Sequence, residues 1–432
     1  MEHLASIIRQ VLDIGAIAVL PIIITILGLF FKMNFFKAFK SGLLLGIGFQ
    51  GLKLVISLLI TTIEPVTNYY AASATGYAFT TIDVGWQTLS AAAWMTPFAA
   101  VVLPLGLIVN IILIKFKVTK TFNIDIWNYW HILMASSILY YIFSRADMSG
   151  AVPFAICTVF AMLLVAIICI VGDKIAPFWQ RNFGYEGTTC TTMSSTLSAV
   201  PVVYVLNKIV DIIPGVNKVD INLSWINKKL GPLGDPALVG FIVGLFLAII
   251  TRQTPTVIIQ IAVGIAAVIV LMPRMVGLLM EGLTPISKAA KNYMTKHVGE
   301  DQELLIGTDA AFAIGDQTAV TLSLLLMPIT IALAFIIPGN NYFPVGMFAS
   351  IPYFAGMISM MTDRNLFRGL ITGTLYMVFI VVSLNFMADV GTSFVTSAGV
   401  LELEKGLKVT AASLANVVDI LMVLIAKLFK VL

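Results

Sequence analysis

The sequence predicts an all-α polytopic membrane protein with about eleven transmembrane helices. These form two inverted five-helix repeats with re-entrant segments, and one extra C-terminal helix remains. Three observations lead to this prediction: an apolar composition, an uneven distribution of basic residues, and a short polar phrase that occurs once in each half. Of the 432 residues, 59% are hydrophobic and 11% are charged, whereas soluble domains carry about 25% charged residues. With a mean hydropathy of +0.99, most of the chain is expected to lie in lipid.

Apolar runs of about 20 residues, the length a helix needs to cross a bilayer, place the helices. The predicted spans are 12–31, 42–62, 94–114, 127–143, 151–171, 236–251, 256–280, 321–338, 344–361, 366–388 and 409–430. Three further stretches are too polar or too short to cross: 80–93, 186–205 and 306–320. We expect these three to be re-entrant, because irregular backbone at membrane depth must be buried in protein or line a cavity.

The chain is therefore predicted to be one transporter domain in four consecutive parts. They are a first repeat at about 10–172, a re-entrant and cytoplasmic connector at 173–235, a second repeat at 236–390, and the extra helix at 409–430.

The basic residues select an orientation. With the N-terminus outside, 19 of the 26 Lys and Arg residues fall in cytoplasmic segments and only five fall outside. Because cytoplasmic loops carry the excess of Lys and Arg, the N-terminus is predicted outside and the C-terminus in the cytoplasm. The basic residues are spread over many loops, so the net charge of +4 gives no indication of nucleic-acid binding.

The polar phrase reads Gly85-Trp86-Gln87-Thr88 in the first half and Gly-Asp-Gln-Thr at 315–318 in the second. The predicted helices before the two copies run in opposite directions, as in an inverted repeat. Inverted repeats with broken helices are typical of transporters and place the substrate site near the membrane midplane. The alternative is chance recurrence in a chain with 32 Gly and 17 Pro.

Two side chains differ between the copies. Asp316 would be costly at mid-depth, by about 2.5 kcal/mol or more, so it either accepts hydrogen bonds from substrate hydroxyls or caps the following helix. Trp86 takes its place in the first copy, where it could stack on a sugar ring and donate its N–H, or only pack. Gln87 and Gln317 match one another and complete the two candidate tips.

Other polar residues flank these tips. His131 could donate to a hydroxyl or relay a proton, or it could be structural. Glu186 opens the third re-entrant stretch, where neighbouring glycines such as Gly187 would let the backbone approach a ligand; a solvated loop carboxylate is the alternative. Asp83 and Asp309 are expected to support the re-entrant loops.

Several classes of chemistry are excluded. The three cysteines contain no CxxC pair, and no phosphate loop, zinc spacing, catalytic triad order or dinucleotide fingerprint is present. We therefore expect no cofactor, no metal and no catalytic residues. The energy for transport would come from an ion gradient or from a partner protein.

Four longer phrases resemble the galactitol-type membrane subunit (enzyme IIC) of the bacterial phosphotransferase system, in a group that also contains the ascorbate permeases. They are residues 271–287, 83–86, 125–131 and 338–340, and the resemblance extends over nearly the whole chain. It implies eleven helices in two inverted repeats. It also implies group translocation, in which an external polyol is carried inward and a cytosolic IIB phosphocysteine donates the phosphoryl group. The IIC chain contributes no phosphoryl-transfer residues of its own.

The resemblance further implies a ligand between the re-entrant tips and the helix of His131. The candidate site residues are Trp86, Gln87, His131, Glu186, Gly187, Asp316 and Gln317. The implied partners are a sugar alcohol or sugar, IIB and through it IIA, and a second copy in a homodimer in the bacterial inner membrane. Residues 185–192 depart from the pattern of the relatives, so galactitol, other polyols and sugars stay open.

An elevator-like movement is a further expectation. The alternative function is a stand-alone proton- or sodium-coupled symporter, with Asp316 and His131 as coupling groups.

Overall fold

The computed structural model describes residues 16–73, 79–125, 127–216, 219–222, 235–298, 304–344, 346–403 and 406–432. Most of these residues are helical. Five apolar helices are long enough to cross a membrane, namely Phe35–Val66, Ala151–Phe183, Pro255–Ala290, Gln317–Ile336 and Leu366–Ser397. This architecture agrees with an all-α membrane protein.

The helices follow the predicted order. Those of the first half are α1 (Ala16–Phe30), α2 (Phe35–Ser73), α3 (Gly85–Trp94), α4 (Ala99–Lys115), α5 (Trp130–Arg145), α6 (Ala151–Phe183) and α7 (Val200–Val210). Those of the second half are α8 (Pro236–Ile250), α9 (Pro255–Val298), α10 (Gln317–Ile336), α11 (Ile351–Met361), α12 (Leu366–Ser397) and α13 (Val417–Leu428). Each of the eleven predicted spans overlaps one of these helices, and α3 and α7 overlap two of the predicted re-entrant stretches, 80–93 and 186–205.

Two kinds of boundary differ from the prediction. The helices α2, α6 and α9 continue well past their predicted spans into more polar sequence, because a helix can leave the apolar layer without ending. The last span, 409–430, begins too early. Its first residues form a strand, and α13 starts only after Asn416, whose side-chain oxygen accepts a hydrogen bond from Val418 N at 3.0 Å as an N-cap.

Short parallel strands are the feature that hydropathy does not predict. They are β1 (Thr81–Asp83), β2 (Thr121–Asn123), β3 (Thr188–Cys190), β4 (Leu305–Thr308) and β5 (Lys408–Thr410). One sheet has the order β2-β4-β3, and in the other β1 pairs with β5 and forms a bridge to Tyr342. These pairings satisfy backbone groups of the non-helical stretches, which cannot remain unpaired at membrane depth.

The helices α1, α2, α8 and α9 form one packed layer, in which α2 and α9 make the most extensive contact. Glycines permit the close approach: a Cβ on Gly48 of α2 would lie 2.6 Å from Leu279 of α9, and one on Gly244 of α8 would lie 2.6 Å from Ala262. Small residues at helix contacts are typical of membrane proteins. The remaining helices surround the strands, and the candidate site lies among them.

Candidate functional site

The strands β2, β4 and β3 run parallel, so their carboxyl ends lie at the same edge. A polar residue follows each strand by one or two positions: Asp125 after β2, Thr192 after β3 and Asp309 after β4. The carboxyl ends of parallel strands are where ligands bind in open sheets. We call these residues, together with Asn128 and Tyr353, the strand-end cluster.

Hydrogen bonds hold the cluster together. Asn128 Nδ2 donates to both carboxylate oxygens of Asp125, at 2.8 and 2.9 Å. Thr192 Oγ1 donates to Asp125 Oδ2 at 2.9 Å and accepts from Ala310 N at 2.9 Å. Thr192 therefore ties the segment after β4 to the carboxylate after β2, and both Asp125 and Thr192 are buried.

Asp309 brings a second carboxylate to the same place. Its Oδ1 accepts a hydrogen bond from Ala311 N at 2.8 Å and caps the 3-10 helix Ala310–Gly315. Asp309 lies near Asp125 and beside the Asn128 amide. Tyr353 of α11 lies near both carboxylates, and its hydroxyl makes no hydrogen bond within the described residues. The cluster can thus offer both acceptors and donors to a hydroxylated ligand.

An aromatic stack borders the cluster. The rings of Trp86 and Trp130 lie 6.4 Å apart at 22°, and those of Trp130 and His131 lie 3.7 Å apart at 25°. His131 Nδ1 lies 3.2 Å from the backbone oxygen of Asn128, and its other ring nitrogen has no partner among the described residues. His131 thus contacts the strand-end cluster through Asn128, and Trp86 is connected to His131 through the ring of Trp130.

Asp316 has other partners. Its Oδ1 accepts from Ala319 N at 3.0 Å, as the N-cap of α10, and from Ser359 Oγ at 2.7 Å. Its Oδ2 lies 2.9 Å from Arg364 Nη2. These contacts agree with the capping alternative. Seven residue steps through the 3-10 helix separate Asp316 from Asp309, which corresponds to roughly 14 Å at about 2 Å per residue.

The other candidates make no hydrogen bond with the cluster among the described residues. Gln87 and Glu186 are exposed and Gln317 is half-buried; none of the three makes a side-chain hydrogen bond within the described part of the chain. Gly187 adopts φ +70°, and its carbonyl oxygen accepts from Ile306 N at 2.9 Å. Glu186 and Gly187 therefore lie at the amino end of β3, opposite Thr192.

Sequence reasoning missed Asp125, Asn128, Thr192 and Tyr353 and gave Asp309 only a supporting role. Strands of three or four residues carry no readable alternation, so nothing in the sequence indicated that these residues meet. No group of three or more His, Cys, Asp or Glu residues suited to a metal ion occurs within the described ranges.

Comparison with known proteins identifies the family. The family model of EIIC-GAT, described as the PTS system sugar-specific permease component, matches residues 10–401. The chain is 34% identical over 375 residues to the PTS system galactitol-specific EIIC component of Escherichia coli K12, covering 86% of this chain and 80% of that protein. It is 29% identical over 406 residues to a putative permease IIC component of the same strain, covering 94% and 90%. The resemblance read from the sequence is confirmed, and the chain belongs to the EIIC-GAT family of sugar-specific permease components of the phosphotransferase system.

Proposed function

We propose that this permease binds galactitol or a closely related polyol and carries it inward across the bacterial cytoplasmic membrane. There a phosphorylated IIB partner, charged through IIA, phosphorylates it. The name of the 34% identical relative supports the substrate class. The single observation that carries the proposal is the strand-end cluster, whose buried and half-buried acceptors and donors suit a chain of hydroxyl groups.

Each part of the cluster has a role in this proposal. Asp125 and Asp309 accept hydrogen bonds from substrate hydroxyls, and charge-assisted bonds of this kind are the stronger ones. Tyr353 and the free ring nitrogen of His131 bond further hydroxyls. Trp86 covers the apolar carbon backbone of the polyol with its ring face.

The remaining predicted residues take other roles. Asp316 fixes the start of α10 against Arg364, and Gln317 follows it in the first turn. Gly187 starts the pairing of β3 with β4. Gln87 and Glu186 are exposed, so we place them outside the polyol site.

We further infer two inverted repeats, at about 16–210 and 235–428. The pairing of the strands supports this: β4 of the second half lies between β2 and β3, and β1 of the first half lies between β5 and Tyr342. When β1 is matched with β4 in this way, Asp83 corresponds to Asp309. The side chain of each accepts a hydrogen bond from the backbone N–H two residues further on. The helix α13 then corresponds to α7 and is no longer an extra element.

With β1 matched to β4, the two copies of the repeated phrase no longer occupy equivalent positions in the two repeats. Between Asp309 and Gly315 lies a 3-10 helix that has no counterpart between Asp83 and Gly85. The two Gly-x-Gln-Thr phrases therefore follow corresponding strands at different distances.

Movement, orientation and assembly complete the proposal. The layer of α1, α2, α8 and α9 serves as the scaffold and holds a homodimer, while the helices around the strands move as an elevator. The positive-inside bias supports an outside N-terminus and a cytoplasmic C-terminus. It also supports an assignment of the α11–α12 connection with Arg364, and of the first turn of α12 with Arg368, to the side that meets IIB.

A vesicle assay tests the function. The purified permease is reconstituted with phosphorylated IIB inside, and radiolabelled galactitol is added outside. We expect accumulation of galactitol phosphate only when phosphorylated IIB is present; IIB whose phosphocysteine is replaced by serine is the control. Uptake of free galactitol driven by a pH or sodium gradient, without IIB, would favour the symporter and contradict the proposal.

A further inference from the structure

A second buried polar site lies where α13 begins, apart from the proposed polyol site and beyond residues 10–401 matched by the family model. Asp419 stands in the first turn of α13 and is fully buried. Neither of its carboxylate oxygens has a hydrogen-bond partner among the described residues, and neither does Nδ2 of the buried Asn416. Buried polar side chains are almost always paired, so two unpaired neighbours in one helical turn require an explanation.

Other polar groups lie around the start of α13. The π-helix Ser194–Ala199 packs against α13; π-helical turns are rare and frequent at functional sites. Ser198 Oγ donates to Ala415 O at 3.0 Å and accepts from Val417 N at 3.3 Å. Tyr376 of α12 lies beside Ser198, and its buried hydroxyl makes no hydrogen bond within the described residues.

An ionised Asp419 would be strongly unfavourable in this place. Burying a carboxylate without a counter-charge or hydrogen bonds carries a large desolvation penalty. The positive end of the α13 dipole offsets only a fraction of that penalty. Asp419 therefore needs either a bound cation or a proton.

The groups that surround Asp419 favour a proton over a bound metal cation. A metal cation requires several oxygen ligands, and the described part of the chain holds no cluster of three acidic, His or Cys side chains. Asn416 Nδ2 is an N–H donor, which suits a carboxyl oxygen or a water molecule and not a cation. We propose that Asp419 is a proton-binding site, which holds a proton in this conformation.

The titratable and charged groups on the elements packed against α13 are few. On α5 they are His131, Tyr140, Tyr141 and Arg145, on α12 they are Arg368, Tyr376 and Asp389, and the π-helix has none. Arg368 pairs with Asp211 and Asp389 pairs with Lys408. On α13 itself, Lys427 lies 4.4 Å from the centre of the Phe386 ring. None of these groups bonds to Asp419.

Loss of the proton would leave a buried charge at the start of α13. Conformations that admit water to this helix end would then be favoured over the one described here. The site therefore couples the position of α13, and of the α5 and α12 helices against which it packs, to proton binding. This inference does not depend on the identity of the substrate.

Infrared difference spectroscopy of the full-length protein at neutral pH tests the proposal. We expect the wild-type minus Asp419→Asn spectrum to contain the carbonyl stretch of a protonated carboxylic acid, shifted in D₂O. Asp389→Asn, which removes an exposed carboxylate on α12, should show no such band. Asp419→Glu should move the band without removing it, and provides the comparison if Asp419→Asn folds poorly. Absence of an acid band in the Asp419 spectra would overturn the proposal.

Thermal unfolding against pH provides a second measurement. The folded wild type retains a proton that the unfolded chain releases, so raising the pH favours unfolding. Above the pKa of an aspartate in the unfolded chain, about 3.9, and as long as the folded state keeps its proton, we expect the unfolding equilibrium constant of the wild type to rise about tenfold per pH unit relative to Asp419→Asn. We expect no sodium dependence. The comparison with Asp419→Asn cancels the contribution of His131. A flat difference, or stabilisation by sodium that Asp419→Asn abolishes, would contradict a proton site.

Discussion

The two sheets of this permease each end in an aspartate, and the two aspartates have different surroundings. Asp83, the last residue of β1, accepts hydrogen bonds from the protein itself: Tyr342 Oη donates to Oδ2 at 2.5 Å, and Gly85 N donates to Oδ1 at 3.0 Å. The backbone of Gly346 packs directly against this carboxylate, since a Cβ on Gly346 would lie 2.4 Å from Asp83 Oδ1. No space is left beside Asp83 for a ligand. Asp309, after β4, has instead the polar strand-end cluster around it.

This difference shows how one backbone arrangement can serve two purposes. In the β1–β5 sheet, the fully buried Tyr342 occupies the space next to the carboxylate. In the β2-β4-β3 sheet, the neighbours are Asn128, Thr192 and Tyr353, with Trp86 and His131 at the border. We therefore expect Asp309 to act in binding and Asp83 to act in stability.

The largest effect on binding is expected for Asp309→Asn. Loss of a charge-assisted hydrogen bond, worth about 1.5–3 kcal/mol, should weaken galactitol binding by roughly 10- to 150-fold in isothermal titration calorimetry. Asp83→Asn is the matched control. It should lower the melting temperature and leave affinity within about twofold, and equal losses of affinity in both variants would contradict the comparison.

Thr192→Val should act next most strongly, because it removes the hydroxyl that joins Asp125 to the segment after β4 while keeping the side-chain shape. Leaving Asp125 Oδ2 and Ala310 N without this partner costs about 1–3 kcal/mol. We expect a lower melting temperature and weaker galactitol binding, measured by thermal unfolding and isothermal titration calorimetry. Thr192→Ser, which keeps the hydroxyl, should restore both. A Thr192→Val protein with wild-type affinity would show that Thr192 does not position the site.

A smaller loss of affinity is expected for Trp86→Ala. Aromatic contacts of this kind contribute about 0.5–1.5 kcal/mol, which corresponds to a two- to thirteen-fold rise in the dissociation constant. Trp86→Phe should keep most of the affinity because it keeps a ring face. If both variants bind as wild type, Trp86 only packs against Trp130.

The smallest effect on binding is expected for Asp316→Ala. The substitution removes an N-cap, worth about 0.5–2 kcal/mol, and the partner of Arg364, so thermal stability should fall. Affinity should stay unchanged, because the carboxylate is already occupied by the protein. A tenfold loss of affinity in a folded Asp316→Ala protein would show that Asp316 binds the polyol and would contradict this assignment. Gln87→Ala, which changes an exposed side chain, serves as the control.

Hydropathy sufficed to predict an all-α membrane protein, because this signal extends over about 20 residues. The site depended on shorter signals. Trp86 and His131 were proposed as candidates because aromatic and ionisable residues are conspicuous in an apolar chain. Asp125 and Thr192 were missed because their meeting depends on the pairing of β2 and β3 with β4, across about 180 residues of sequence at most.

For Asp316 the sequence left two roles open, substrate binding and helix capping. A carboxylate in an apolar stretch was correctly recognised as needing a partner, but the sequence could not indicate which partner. Arg364 and Ser359 lie more than 40 residues away in the chain and meet Asp316 only through the packing of α10 against α11. The same type of residue therefore serves as a cap here and as a proposed ligand-binding group at Asp309.

An experimental structure with bound galactitol tests the central proposal most directly. We predict density for the polyol at the carboxyl ends of β2, β4 and β3, with hydroxyl groups within hydrogen-bond distance of Asp125 and Asp309 and its carbon chain against Trp86. Density for the polyol against the side chains of Asp316 and Gln317, or beside Asp83 at the end of β1, would contradict this assignment of the site.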